Sequence, residues 1–480
     1  MLTAVIVIAY FAIMLGYGVY FAKKNKDIKS YSIASQTLPL YVTIPLVATG
    51  IVGAGSTAGL AAGAFRYGMS ASFILLGVPI GVLIMYLLGV MKAYRALSIK
   101  KGIMTIPQVM RFRYGKVAYM THAILAFCVV FMVVGATAPS AAGIIAPMLN
   151  IDYQLAAWLV IAVLLLQVLL GGMQSIGWIS ILQGILLFGG TFLVMFKAIS
   201  AVGGFEGLSA NLSPAYLRFD GPTPQVAIAI LVGAVFAQVT NSFSISSIFS
   251  AKSAKAAYWG MGIGSAILIP LGLALGIIGL CAAVLVPQSA PNSAVYHVAT
   301  LFGTGYGAAI SIAILAAVFS TSMPGYLYLA TLFVRDIYLG LFKLKADDKK
   351  QFWIARITLV VVCLSSTWIG LYAPSIISLV SGAQQIATSY VIVFIMGFLW
   401  KRTNEIGAVG TIAFGGGGGL LWYLLGKPWG IEPVWVVWAI GIPIIIICGL
   451  LSKNEVDPGY TAVKEILDEY DRDVIETGKS

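Results

Sequence analysis

The chain has 480 residues, 60% of them hydrophobic and only 10% charged, with a mean hydropathy of +0.97 and a net charge of +12. A water-soluble protein carries about 25% charged residues, so the composition excludes a soluble enzyme and indicates an all-α integral membrane protein. Four scattered cysteines and two histidines leave no cluster for a metal centre or a disulfide framework.

Crossing the hydrocarbon core takes about 20 apolar residues in a helix. Thirteen such stretches are predicted, at 2–22, 38–65, 70–97, 116–147, 153–173, 177–203, 225–248, 256–286, 305–335, 352–372, 375–400, 406–426 and 433–452. The first has no basic residue before it and four lysines directly after it. That pattern reads as an uncleaved anchor running from outside to inside. From that start, only Arg66, Lys197, Arg218 and Lys427 among the 29 Lys and Arg fall outside. This asymmetry predicts an odd number of spans, N-out and C-in. The basic charge thus orients the chain in a lipid bilayer, and no nucleic-acid partner is expected.

The second span reads VATGIVGAGSTAGLAAGAFRYG. Each helical glycine costs about 0.8–1.0 kcal/mol relative to alanine, so the cluster Gly50, Gly53, Gly55 and Gly59 is where a helix most easily opens. Gly55 and Gly59 also suit close helix packing, but Gly50, Gly53 and Gly55 do not share a face. Helices broken near mid-membrane are a common way for secondary transporters to build binding sites. The late run FGGGGG at 414–419 reads as close packing or a hinge.

The seventh span carries FAQVTNSFSISS and the ninth carries LAAVFSTS. In the ninth, Ala317, Ser320 and Thr321 are spaced i, i+3, i+4 and share one helical face. Such hydroxyls often bond back to the preceding turn. At 1.5 Å per residue, Ala48 and Ile51 lie about 15–20 Å into the membrane and Ser320 about 20 Å from either end of its span. The hydroxyls and the weak helix are therefore predicted at one depth. All 17 acidic residues fall at or beyond span ends, which argues against a carboxylate proton relay. Two hydroxyls and three carbonyls make a cage of neutral oxygens suited to a hard monovalent cation, and sodium fits.

These segments resemble the sodium:solute symporter family, which includes sodium-coupled sugar, proline and pantothenate carriers. The likeness is carried in order by SIASQTLPLYVTIPLVATGI, GLAAGAFRYGM, TIPQVMRFRYG, AKSAKAAYWG, AILAAVFSTS with RDIY, and GFLWKRTNEIGAVG. It implies two inverted five-helix repeats, 38–203 and 225–402, separated by an external loop at 204–224. A first helix and basic loop (1–37), two late helices (403–452) and a cytoplasmic tail (453–480) would be peripheral. It implies sodium as the coupling ion, with no other cofactor, held by carbonyls of Ala48, Ile51 and Ala317 and hydroxyls of Ser320 and Thr321.

The resemblance has gaps. Ser180 stands where the family often has an acidic residue, which argues against a second sodium site, and Ser247 or Ile248 replaces an expected basic residue. Substrate contacts are expected from Gly50, Ala54, Gly55, Asn241 and Gln384, with Phe243 as a gate. A pocket of small and amide groups disfavours a cationic solute and leans toward a carboxylate or zwitterion over a sugar. The leading function is sodium-coupled symport of a small organic solute by alternating access, in the plasma membrane. A solute-binding membrane sensor and a proton-coupled transporter stand as alternatives. No nucleophile, base and acid come together mid-span, so no enzyme is expected.

Overall fold

The computed structural model describes residues 2–22, 28–53, 55–221, 223–289, 291–342, 344–372, 376–453 and 455–477. Helices dominate because in hydrocarbon each backbone N–H and C=O must be bonded within its own segment. Among the described residues, ten helices are long and apolar enough to cross a membrane, with Leu40–Ile51 a shorter apolar helix.

The helix Thr304–Leu332 is the centre of the bundle, and every residue from 310 to 332 is buried. A helix apolar on all sides packs on all sides. Here Tyr153–Val202, Leu40–Ile51, Lys116–Gly135 and Asp348–Leu371 surround it. The outer helices instead expose Leu87, Ile185, Phe196, Trp368 and Leu424. An apolar belt of that extent needs lipid to cover it.

Several expected spans depart from straight helices. Those at 153–173 and 177–203 run on as Tyr153–Val202, a 50-residue helix. At 1.5 Å per residue it would be about 75 Å long if straight, far more than one crossing. It kinks at Gly172, where φ is 56° and ψ is −164°. The Gln167 amide donates to the Ser175 hydroxyl at 2.9 Å. Eight residues along a straight helix would stand about 12 Å apart, so the chain turns sharply between them.

The second span divides into Leu40–Ile51 and Ala58–Tyr67. The seventh divides into Pro224–Ala237, a tight turn at Gln238–Thr240, an extended Asn241 and then Ser242–Ser250. The two broken spans are tied at one end. The Leu38 N–H donates to the Ser250 carbonyl at 3.0 Å and the Lys252 N–H to the Leu38 carbonyl at 2.9 Å. In the run at 414–419, Gly416 lies against Ser389 and Gly415 against Gly441 of the Pro433–Leu450 helix. The polar tail is itself a helix, Pro458–Thr477, lying on Val90–Lys101 and Ile106–Tyr114.

Candidate functional site

The Leu40–Ile51 helix ends because its next residues cannot hold it. Val52 leaves helical geometry (φ −88°, ψ 85°) and its N–H donates to the Thr49 carbonyl at 3.2 Å. In an unbroken helix that donor would bond Ala48. Side chains take over the lost backbone bonds, as hydroxyls do at turns. The Gly53 N–H donates to the Ser56 hydroxyl at 2.9 Å, and the Thr57 hydroxyl donates to the Gly53 carbonyl at 2.8 Å. The Ser56 hydroxyl also reaches the Ile51 carbonyl at 3.3 Å.

The hydroxyl run of the central helix faces this opened turn. Ser320 donates to the Thr49 carbonyl at 2.8 Å and approaches the Ala317 carbonyl at 2.9 Å. Thr321 donates to the same Thr49 carbonyl at 3.1 Å. Thus Ala317, Ser320 and Thr321 meet the turn that carries Ala48 and Ile51. Gly53 makes the approach possible. A Cβ there would fall 2.9 Å from Thr321 Cγ2 and 3.1 Å from its Oγ1. The third hydroxyl, Ser322, points elsewhere, to the Val318 carbonyl and the Thr137 hydroxyl, each at 2.6 Å.

Beside this junction lies a cavity of about 70 Å³, room for roughly five water molecules. One wall is apolar, from Val129, Val130, Val133, Val134 and Val380. Both helix breaks also line the cavity, through Gly53, Gly55 and Ser56 on one span and Thr240, Asn241 and Ser242 on the other. Ile51 and Thr321 line it too, so two of the five cation-ligand candidates border the cavity, while Ala48, Ala317 and Ser320 do not. Asn241 donates to the Gln238 amide oxygen at 3.1 Å.

The sequence-derived solute residues divide. Gly55, Asn241 and Gln384 line the cavity. Gly50 is buried inside the last turn of its helix and is not among the lining residues. Ala54 and the side chain of Phe243 lie outside the described residues. Tyr390 and the valine wall were missed, because an apolar stripe on a membrane helix looks the same whether it faces a cavity or a neighbour. Ser56 could have been found: it sits among the glycines that open the second span. Ser180 donates to the Ile176 carbonyl at 2.7 Å, and Gln183 bonds the Tyr10 hydroxyl at 3.2 Å.

A helical bundle with two interrupted helices beside a small cavity, part apolar and part polar, has the architecture of a membrane carrier. The sodium:solute symporter family model matches residues 31–415, and the chain belongs to that family. It is a multi-pass membrane symporter that couples sodium to a small organic solute, not an enzyme. The osmoregulated proline transporter OpuE of Bacillus subtilis is 24% identical, covering 94% of this chain and 95% of its own. The sodium/glucose cotransporter of Vibrio parahaemolyticus is 23% identical, covering 84% of this chain and 82% of its own. A substrate-bound, outward-open Na+-coupled sialic acid symporter superposes with a TM-score of 0.78 at 19% identity, covering 94% of this chain and 97% of its own. That last likeness establishes the fold.

Proposed function

We propose that this symporter binds one sodium ion at the junction of the Leu40–Ile51 and Thr304–Leu332 helices and a small carboxylate or zwitterion in the adjoining cavity. The observation that carries the reading is the convergence of Ser320 and Thr321 on the Thr49 carbonyl. Two hydroxyls meet the Thr49 carbonyl at one buried point, and one of them also reaches the Ala317 carbonyl. When sodium enters, the two hydroxyls turn their lone pairs to the ion, together with carbonyls of Ala48, Ile51 and Ala317. Hard cations take oxygen ligands, and a singly charged ion needs no carboxylate among them.

The solute's carboxylate docks toward the start of the Ala58–Tyr67 helix, where backbone N–H groups and the helix dipole favour an anion. Asn241 and Gln384 contact the rest of the molecule. The lack of ionised side chains among the lining residues disfavours a cation and leaves the helix start to hold a carboxylate or zwitterion. The presence of proline transporters among the relatives agrees with that choice, although sugar carriers are there too.

Transport proceeds by alternating access, with repeats 38–203 and 225–402 inverted across a thirteen-span, N-out and C-in chain. Interruption of the first helix of each repeat, at 52–57 and 238–241, supports the repeat. An inside-negative potential of 100 mV contributes about 2.3 kcal/mol per sodium ion carried inward. The test is uptake by proteoliposomes under an inward sodium gradient, against a panel of amino and imino acids, small carboxylates and sugars. The reading expects sodium to accelerate uptake of a carboxylate or zwitterion. Equal uptake in sodium and potassium media contradicts it.

A further inference from the structure

The acidic tail helix is docked more thoroughly than a solubilising appendage needs to be. Its residues Val463, Ile466 and Tyr470 are buried and follow the i, i+3, i+7 spacing of one helical face. Along the rim of that face run ion pairs to the body of the protein. Asp471 pairs with Lys92, and Glu469 and Asp473 both pair with Lys100.

The two ends of the tail grip different parts of the bundle. At its start, Asp457 pairs with Arg113 at 2.6 Å, and the Asp457 N–H donates to the Lys401 carbonyl at 2.8 Å. Arg113 is itself buried and also donates to the Gly397 and Thr403 carbonyls, at 2.8 and 3.2 Å. Gly459 lies so close to the Arg113 carbonyl that no side chain fits there. At the far end, the buried Tyr470 lies beside both Arg95 and Tyr258.

Arg95 links the tail to the site. Its guanidinium donates to the Ile248 carbonyl at 3.1 Å, near the end of the Ser242–Ser250 half-helix. That half-helix starts at Ser242 on the cavity wall, and its end is tied through Ser250 to Leu38, just ahead of the Leu40–Ile51 helix. The tail therefore bridges the ends of both inner half-helices on one side and the 397–403 turn on the other.

We propose that the tail helix is a cytoplasmic latch: docked, it holds the inner half-helices closed, and it must release for the cytoplasmic path to open. The proposal rests on the orientation and alternating access proposed above. Its contacts suit a latch that cycles. In the pairs of Lys92 with Asp471 and of Lys100 with Glu469 and Asp473 the acidic partners are about half exposed, so the pairs are individually weak and screened by salt. Of the ion pairs, Arg113–Asp457 is the most deeply buried, and it serves as the hinge.

The test tethers the tail in the full-length chain. The free cysteines Cys128, Cys281, Cys363 and Cys448 are replaced, and Lys100→Cys and Asp473→Cys are joined by a short, reducible bis-thiol cross-linker. Sodium-driven uptake is measured before joining, after joining and after reduction, so each sample is its own control. The latch predicts at least a fivefold fall in uptake on joining and recovery on reduction. In a separate full-length chain, Glu469→Gln with Asp473→Asn should raise the turnover rate about two- to threefold without moving the sodium KM. Undiminished uptake with the cross-link formed overturns the latch while leaving the symporter reading intact. Sodium-independent uptake in every sample overturns both.

Discussion

The Ser320 hydroxyl lies 2.8 Å from the Thr49 carbonyl oxygen, although 271 residues separate them in the chain. The contact joins the most buried of the described spans to one of the two helices whose backbone opens beside the cavity. The sodium site proposed above spans the two segments that these hydroxyl-to-carbonyl bonds join.

Removing one hydroxyl ligand should weaken sodium coupling without unfolding the bundle. A hydrogen-bonding group facing a charge is worth about 1.5–3 kcal/mol, a factor of roughly 10 to 150 in affinity. Ser320→Ala and Thr321→Val are each expected to raise the sodium KM for uptake by at least tenfold. Thr321→Ser, which keeps the oxygen, should stay within about threefold of the parent.

Gly53→Ala tests the close approach from the other side. The added methyl would press on Thr321 Cγ2 and Oγ1, and overpacking of this kind costs about 1–3 kcal/mol. Both the sodium KM and the melting temperature should worsen. A Gly53→Ala, Thr321→Ser double variant, which removes the clashing methyl, should recover part of each loss.

Solute contacts should separate from sodium contacts. Asn241→Ala and Gln384→Ala are expected to raise the solute KM several-fold while sodium binding measured without solute stays unchanged. Gly50→Ala, by contrast, places its methyl where no atom lies within 4 Å. It should leave the solute KM within about twofold of the parent.

Gly172→Ala should cost stability and spare affinity. The φ of 56° with ψ of −164° at this turn is a combination essentially reserved for glycine, and an L-residue held there pays about 1–3 kcal/mol. A lowered melting temperature in detergent, with sodium and solute KM values retained in the surviving protein, is the expected pair of results.

Much of this was legible in the sequence, for physical reasons. The hydrophobic spans follow from the length of helix that hydrocarbon demands, and the break after Ile51 follows from glycines that weaken it. The i, i+3, i+4 spacing of Ala317, Ser320 and Thr321 announced a shared face, and depth counting set that face level with the break. The turn at Gly172 was legible as the break between the spans at 153–173 and 177–203, but its sharpness was not, because Gln174 and Ser175 are the only polar residues there and helix resumes at once on either side. The docking of the tail was hidden too. Its buried residues, Val463, Ile466 and Tyr470, are diluted among eight acidic residues from Glu455 onward, so composition alone reads it as a solvated end. The cavity's valine wall cannot be told from packing surface by residue type.

Equilibrium binding of radioactive sodium to the purified protein, in the absence of solute, tests the central claim most directly. The account predicts saturable binding of one ion per chain that is lost in the Ser320→Ala, Thr321→Val double variant while the variant's melting temperature stays near the parent's. Undiminished sodium binding by that folded variant would place the ion elsewhere and contradict the account.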